Sequence, residues 1–265
     1  MEEQAGLHIT LSSERLFEIW GVPITNSILA GWLVILLLFT IAFLVRSNLK
    51  LVPGRLQNFV EWAYEWVYGY VERGFGDEKL TRRYFPLIAT IFFFILIANL
   101  FEFLPIFGTV TLMHGEESTP LFHVATTDLN TTLALAIISF LVIELSGIFT
   151  LGLLKYGSKF VNFKAGFMMF VVGLLELIGN LARLISFSFR LFGAIFAGEV
   201  LLLVIGSFVP YVLPVPLMAF EMFIGLLQAA IFAILTLAFI KIAVAEPHGA
   251  EHSHEEGVAH AKGAH

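Results

Sequence analysis

Long apolar runs alternate along this chain with shorter polar segments. Five of these runs are long enough to cross a membrane, because a helix needs about 20 apolar residues to cross about 30 Å of hydrocarbon. They are residues 24–45, 84–105, 130–154, 166–209 and 216–242. The fourth run is too long for a single upright crossing. The pattern therefore predicts an all-α polytopic membrane protein with five membrane-spanning helical segments.

A different pattern marks residues 54–73, where apolar side chains recur every three or four positions. The stripe consists of Leu56, Phe59, Val60, Ala63, Val67 and Tyr70, and Trp62, Tyr64, Trp66 and Tyr68 surround it. Amphipathic helices with such aromatic side chains are typical of membrane surfaces. We interpret this segment as an amphipathic helix on the cytoplasmic surface. A helix packed against the core is the alternative.

Lysine and arginine are confined to certain connecting segments. The basic residues between the first and second runs and between the third and fourth are Arg46, Lys50, Arg55, Arg73, Lys79, Arg82, Arg83, Lys155, Lys159 and Lys164. The segments 105–130 and 210–216 contain none. Cytoplasmic loops carry the excess of positive charge. The N-terminus is therefore predicted outside and the C-terminus in the cytoplasm, as five crossings also require.

Composition supports a membrane protein, since 58% of the residues are hydrophobic and 14% are charged, against about a quarter charged in soluble domains. The lack of cysteine excludes disulfides and thiolate metal sites. The net charge of −6 does not favour nucleic-acid binding. No phosphate-binding GKS or GKT motif occurs, and no cofactor is predicted.

One integral membrane domain is expected over residues 1–265, and its last 20 residues form a His-rich tail. Residues 246–265 carry irregularly spaced histidines among Gly, Ala and Glu. We interpret them as a disordered tail, and metal binding is the alternative.

Arg190 interrupts the fourth apolar run. A guanidinium at membrane depth costs about 2.5–3.5 kcal/mol on insertion scales, and its pKa is too high for it to become neutral. Such a charge requires either a function or a partner. A structural ion pair with Glu144 or Glu102 is one explanation.

The last two runs form a predicted helical hairpin with its turn near residues 209–216. In such a hairpin Glu199 and Glu221 lie at one depth, and Arg190 and Gln228 lie together at a deeper level. Nine residues separate Glu199 from Arg190, which places them about 13.5 Å apart on opposite helix faces. Glu199 and Glu221 are also consistent with a structural pair that shares one proton, and Gln228 with an ordinary interhelical hydrogen bond.

Towards the cytoplasmic side, Ser186, Arg183 and Glu176 share the helix face of Arg190. Carboxyl groups can pass protons, whereas Arg190 cannot deprotonate but can repel cations between two aqueous inlets. This distribution favours ion conduction in two halves, with the carboxylate that meets Arg190 on another subunit.

Other polar residues receive simpler interpretations. Arg183 and Lys241 are expected to extend to the cytoplasmic interface. Glu176 either does the same or lines an inner exit. His114 and His123 fall in an external loop and are expected to be solvated rather than catalytic.

Specific motifs then point to a family. They are RLFG at 190–193, FAGE at 196–199, QA at 228–229 with Phe232, PLI at 86–88, NL at 99–100, LP at 104–105, TDLN at 127–130 and TLA at 132–134. Together these closely resemble subunit a of the F-type ATP synthases, and the similarity covers most of the chain. One departure is Ala194, where many bacterial members have Asn.

The resemblance implies a non-catalytic, proton-conducting stator subunit in the bacterial inner membrane. Its partners would be the c-subunit ring, subunit b, the rest of the F1Fo complex and membrane lipid. The last two helices would be long and tilted beside the ring. In this family Arg190 matches the arginine that faces the ring carboxylate, Glu199 and Glu221 match the outer half-channel, Gln228 lies opposite the arginine, and Glu176 lies near the inner half-channel.

Two other functions remain open from the sequence. A self-contained secondary transporter would need a broken helix or a repeat at the midplane, together with a partner for Arg190 within this chain. A structural anchor of a larger complex would tolerate substitutions at Arg190, Glu199 and Glu221.

Overall fold

A computed structural model describes residues 13, 15–19, 21–104, 110–114, 117–152, 167–209 and 212–245. The helices of this part of the chain are α1 Asn26–Ser47, α2 Arg55–Phe75, α3 Glu78–Phe101, α4 Leu129–Leu151, α5 Phe167–Phe208 and α6 Pro214–Val244. All of them except α2 are long and apolar enough to cross a membrane. The prediction of an all-α polytopic membrane protein is confirmed.

The apolar pattern did not indicate two short antiparallel hairpins, one of which precedes α1 while the other lies between α3 and α4. Their strands are β1 Arg15–Ile19, β2 Val22–Thr25, β3 Thr111–His114 and β4 Glu117–Pro120. A 3₁₀ turn at Ala125–Thr127 leads into α4. The predicted tail 246–265 and the basic residues at 155, 159 and 164 lie outside the described residues.

Helix α3 differs in its bounds from the predicted run 84–105. It begins at Glu78 because the Asp77 side chain caps it, accepting a hydrogen bond from the Lys79 amide at 2.7 Å. The polar residues that follow Asp77 thus belong to the helix although they lie outside the apolar run. At its other end α3 stops at Phe101, so Glu102 caps its C-terminus.

Helix α5 is one continuous helix of 42 residues. At about 1.5 Å per residue it is about 63 Å long, roughly twice the thickness of the hydrocarbon layer. Neither α5 nor α6 is interrupted within its described length. The broken helix that a self-contained transporter would require at this place is therefore not present in these two segments.

The core lies where α3, α4, α5 and α6 meet. Its best-buried side chains are Ile95, Ile143, Leu191, Ile195 and Ile240, which come from all four helices. Helix α1 packs more loosely, through Val34 against Ala98 and Phe101. The apolar faces of α1 and α5 are largely exposed in the isolated chain. They are therefore available to lipid or to partner subunits.

Helix α2 divides between two environments. In its C-terminal half, Val67, Val71 and Phe75 are buried in the core, whereas Leu56 and Phe59 near its start are exposed. The predicted stripe therefore does not face the core along its whole length.

The end of α2 is fixed to α6. Gly74 lies so close to Leu237 that a Cβ at position 74 would stand 2.7 Å from a Leu237 methyl carbon. Lys241 Nζ donates a hydrogen bond to the Gly74 carbonyl oxygen at 2.7 Å. Lys241 thus joins two helices through a backbone carbonyl.

Asn99 connects the elements that surround the candidate site. Its Nδ2 donates to the Gly225 carbonyl oxygen at 3.0 Å, and its Oδ1 accepts from Thr126 Oγ1 at 2.7 Å. A buried amide satisfied in this way holds α3, the 3₁₀ turn and α6 in register. It also brings Glu102, at the end of α3, close to the level of Glu221.

Candidate functional site

Glu199 of α5 and Glu221 of α6 lie together, as the hairpin geometry predicted. Glu221 is 3% exposed, and its carboxyl group contacts Gly198 so closely that a Cβ at that position would overlap it. The absence of a side chain at Gly198 therefore makes room for the Glu221 carboxyl between the two helices.

A third carboxyl group, that of Glu102, completes the assembly. Glu102 lies within side-chain hydrogen-bonding reach of Glu221 and also interacts with Glu199. We call Glu102, Glu199 and Glu221 the carboxylate cluster. Sequence reasoning considered Glu102 only as a partner for Arg190. A signal was present in the chain, because Asn99 and Glu102 are polar residues three positions apart at the end of an apolar run.

The cluster has few hydrogen-bond donors. Among the described residues, no donor reaches Glu199 Oε2 or either carboxyl oxygen of Glu221. A hydrogen bond between two carboxyl groups requires that one of them carry a proton, because an ionised carboxylate only accepts. The contact between Glu102 and Glu221 is thus suited to holding a shared proton. Chemically, the cluster can bind protons and exchange them among its members.

His123 lies beside this cluster, so the prediction that it is a solvated loop residue is wrong. Its side chain is 17% exposed, and Nδ1 stands 3.8 Å from Glu199 Oε1. The other ring nitrogen, Nε2, is 3.0 Å from Thr127 Oγ1. The 3₁₀ turn that follows His123 folds the loop against α5 and leaves the ring only partly exposed. His114 lies in β3, and its side chain is outside the described part of the structure.

Arg190 and Ser186 occupy a different place, on the exposed face of α5. Arg190 Nη2 donates a hydrogen bond to Ser186 Oγ at 3.3 Å, and the guanidinium carbon is 5.9 Å from the centre of the Phe187 ring. No carboxylate forms a salt bridge with Arg190 among the described residues.

The two carboxylates considered as structural partners of Arg190 are engaged elsewhere. Glu144 accepts a hydrogen bond from Asn180 Nδ2 at 3.0 Å, and Glu102 belongs to the carboxylate cluster. The intrachain ion pair is therefore not formed, and the cation is left on the surface of α5.

Gln228 is buried on α6, and its Nε2 has no hydrogen-bond partner among the described residues. One turn further along α6, Phe232 packs against Phe187 with ring centres 5.1 Å apart. The buried aromatic pair separates the interior of the bundle from the exposed guanidinium of Arg190. The ordinary interhelical hydrogen bond considered for Gln228 is not made by its Nε2.

Two further predicted residues lie towards the start of α5. Glu176 is part of this helix, but its side chain is outside the described residues. Arg183 lies over the Phe239 ring at 3.9 Å from its centre, so its guanidinium stacks on α6 rather than extending away from it.

The part of the chain that forms these helices matches a known protein family. A family model described as the ATP synthase A chain matches residues 28–241, which is most of the chain. The chain belongs to the ATP synthase subunit a family. The resemblance stated from the motifs is confirmed.

Curated ATP synthase subunit a proteins from several bacteria are similar over nearly their whole length. The protein of Moorella thermoacetica is 32% identical over 85% of this chain and 94% of its own length. That of Campylobacter concisus is 35% identical over 84% and 89%. ATP synthase subunit a 3 of Pelobacter propionicus is 33% identical over 82% and 86%.

Outside the carboxylate cluster, this member of the subunit a family has an apolar groove of about 410 Å³ between α2, α3 and α6. Trp66, Tyr70, Phe92 and Ala233 line it, and Arg73 is its charged residue. It contains no carboxylate and is distinct from the cluster. Within the described part of the chain, no group of three His, Asp or Glu side chains could hold a metal ion.

Proposed function

We propose that this subunit conducts protons through two offset half-channels beside a ring of c subunits, and that Arg190 separates them. The observation that carries the proposal is the position of Arg190. It is a permanent cation on an exposed, apolar helix face, and no carboxylate of the described chain pairs with it. A charge in that position is stabilised if a carboxylate of a neighbouring subunit meets it.

The carboxylate cluster serves as the outer half-channel in this proposal. Glu102, Glu199 and Glu221 accept protons from the external side and pass them to a carboxylate of the ring. Their closeness supports this role, because a proton can move between carboxyl groups that are in hydrogen-bonding contact. Gln228 is buried on α6, and its Nε2, which has no partner among the described residues, can donate a hydrogen bond inside the bundle.

Arg190 acts at the point where the ring carboxylate leaves one half-channel and enters the other. A nearby cation favours the charged form of a carboxylate, so the ring group loses its proton as it approaches Arg190. Ser186, which Arg190 contacts, helps to orient the guanidinium. The released proton leaves on the cytoplasmic side along the early part of α5, where Glu176 lies.

Rotation follows from the separation of the two half-channels. Because Arg190 repels a proton that would pass directly, each proton must ride on the ring from one half-channel to the other. A charge that crosses the whole membrane potential supplies about 2.3 kcal/mol per 100 mV. The length of α5 supports a tilted course along a curved ring surface, since the helix is about twice as long as an upright crossing requires.

The wider assembly follows from the same proposal. Subunit b and the rest of the F1Fo complex would hold this subunit still while the ring turns in the bacterial inner membrane. The N-terminus would be outside and the C-terminus in the cytoplasm. The subunit would carry out no covalent chemistry of its own.

A structural anchor is the remaining alternative. It accounts for the five apolar helices, but it gives no reason for three mutually repelling carboxyl groups beside one another. It also leaves an exposed cation at membrane depth without a purpose.

The experiment that tests the proposal is the substitution Arg190→Ala in the assembled complex, in membrane vesicles. We expect ATP-driven acidification to be abolished while the complex remains intact, and passive proton permeability to rise or stay unchanged. Arg183→Ala is the matched control, since Arg183 is on the same helix but stacks on Phe239, an interaction worth about 0.5–1 kcal/mol. Normal pumping by Arg190→Ala would exclude the half-channel mechanism.

A further inference from the structure

The imidazole of His123 is held at both of its nitrogens. Nε2 lies 3.0 Å from Thr127 Oγ1, and Nδ1 lies 3.8 Å from Glu199 Oε1. The ring is 17% exposed and Glu199 is 26% exposed, so this pair lies nearer the surface than Glu221, which is 3% exposed. His123 and Glu199 therefore lie together at the more exposed edge of the carboxylate cluster.

Thr127 determines which nitrogen of the neutral ring carries the proton. The Thr127 hydroxyl donates its single hydrogen to the Val124 carbonyl oxygen at 2.9 Å. It must then accept from His123, which requires a hydrogen on Nε2. In the neutral ring the lone pair is consequently on Nδ1, the nitrogen that faces Glu199.

From this geometry we infer that His123 is the proton-accepting residue at the entrance to the outer half-channel and delivers protons to Glu199. The inference rests on the proposed function, because it assigns a role within the half-channel formed by the cluster. The inference goes beyond the proposed function by naming a loop residue as the group that collects protons from the external solution.

The step balances without any further reactant. A hydronium ion or a buffer acid gives a proton to Nδ1, which forms an N–H bond and leaves an imidazolium beside the Glu199 carboxylate. The N–H bond then breaks, an O–H bond forms at Glu199 Oε1, and both groups become neutral. The gap of 3.8 Å must close to about 3 Å, or be bridged by one water, for this transfer.

The charged groups around His123 favour this direction of transfer. Glu199 faces it from α5, and behind Glu199 lie Glu102 at the end of α3 and Glu221 on α6. On its own segment, Asp128 is engaged by Ser13 Oγ at 2.7 Å and by the Asn130 amide at 2.9 Å. Every charged group named here is a carboxyl, so a proton on His123 is attracted towards the cluster.

The test compares His123→Gln with His123→Ala in the complete ATP synthase complex, reconstituted in vesicles. A glutamine amide can still donate to Thr127 but cannot carry a proton, whereas alanine removes both capacities. ATP synthesis driven by an imposed proton gradient is measured per assembled complex while the pH on the external face is varied from about 5.5 to 8, a range that spans the ordinary pKa of histidine. Arg190→Ala is measured in the same vesicles.

We expect both His123 variants to be slower by about tenfold or more at neutral external pH, since positioned proton-transfer groups contribute about 10²–10⁴-fold. The deficit should shrink at acidic external pH, where protons reach Glu199 without a collecting group. Imidazole added to the external solution should restore part of the rate to His123→Ala.

Two results would overturn the inference. One is a wild-type rate in His123→Gln, which would mean either that the residue is not needed or that its hydrogen bond to Thr127 is all that matters. The other is an equal loss at every pH without rescue by imidazole, which would indicate a purely structural role. If Arg190→Ala also synthesises ATP at the wild-type rate, the proposed function fails as well. If only Arg190→Ala is inactive, the failure concerns His123 alone.

Discussion

The carboxylate cluster and Arg190 lie on the same long helix, but only the cluster is completed by groups of this chain. Glu199 and Glu221 come from two helices and Glu102 from the C-terminal cap of a third, and Glu221 is nearly inaccessible. Arg190 lies on an exposed face, and its hydrogen bond to Ser186 is long, at 3.3 Å. One site is enclosed, and the other is open on the side where a partner would lie.

From this difference we predict how substitutions at each site change proton transport. In the cluster, neighbouring carboxyl groups can partly take over the role of a lost one. At Arg190, the other cation on the same side of the helix, Arg183, stacks on the Phe239 ring of α6 and cannot take its place. The complete loss expected for Arg190→Ala therefore sets the upper limit, and substitutions in the cluster should have graded effects below it.

The strongest graded effect is expected for Glu221→Gln. This change removes a carboxyl from the centre of the cluster while keeping its shape, so proton pumping should fall by about 100-fold, in the range for positioned proton-transfer groups. The measurement is ATP-driven acidification of vesicles, normalised to assembled complex.

Thr236→Val is the control for Glu221→Gln, because Thr236 is equally buried on α6 but, among the described residues, its hydroxyl bonds only to the Phe232 carbonyl oxygen of its own helix, at 2.9 Å. A Glu221→Gln variant as inactive as Arg190→Ala would show that the cluster has no redundancy, and the comparison above would fail.

The features that follow from helix geometry could be predicted from the sequence. The long apolar runs predicted five helices. The numbers of residues that separate Glu199 and Glu221 from the predicted turn placed the two carboxyl groups at the same depth. The spacing of nine residues likewise separated Glu199 from Arg190. These predictions need only the residue spacing, which the sequence supplies, and the rise and turn of a regular helix, which are the same in every protein.

The features that depend on tertiary contacts were missed. His123 reaches Glu199 because a 3₁₀ turn folds the loop inward, and Glu102 reaches Glu221 because Asn99 binds the α6 backbone. No periodic pattern in the sequence indicates either contact. The exposed position of Ser186 beside Arg190 was predictable from one helix alone, whereas the enclosed site required the packing of several elements.

A smaller effect is expected for Gly198→Ala. The added Cβ would overlap the Glu221 carboxyl group, which is the flexible end of its side chain and can rotate away. The fold should therefore survive, while pumping falls by about tenfold because the carboxyl is misplaced. Gly206→Ala is the control, since a Cβ at Gly206 of the same helix meets nothing within 4 Å. Equal pumping by the two variants would show that the exact position of Glu221 is unimportant.

The smallest effect on transport is expected for Gly225→Ala, which tests packing rather than proton transfer. A Cβ at this position would stand 2.9 Å from Asn99 Cβ, an atom close to the backbone that cannot rotate away. The two helices must then separate slightly, at a cost of about 1–3 kcal/mol for overpacking. The apparent unfolding temperature of the complex should fall, while pumping per folded complex falls less than in Gly198→Ala, because a slight separation of α3 from α6 shifts Glu102 and leaves Glu199 and Glu221 in place. The opposite result, a stable complex whose pumping is impaired more than in Gly198→Ala, would mean that the contact between Asn99 and Gly225 acts mainly by positioning Glu102 and adds little to the packing of α3 against α6.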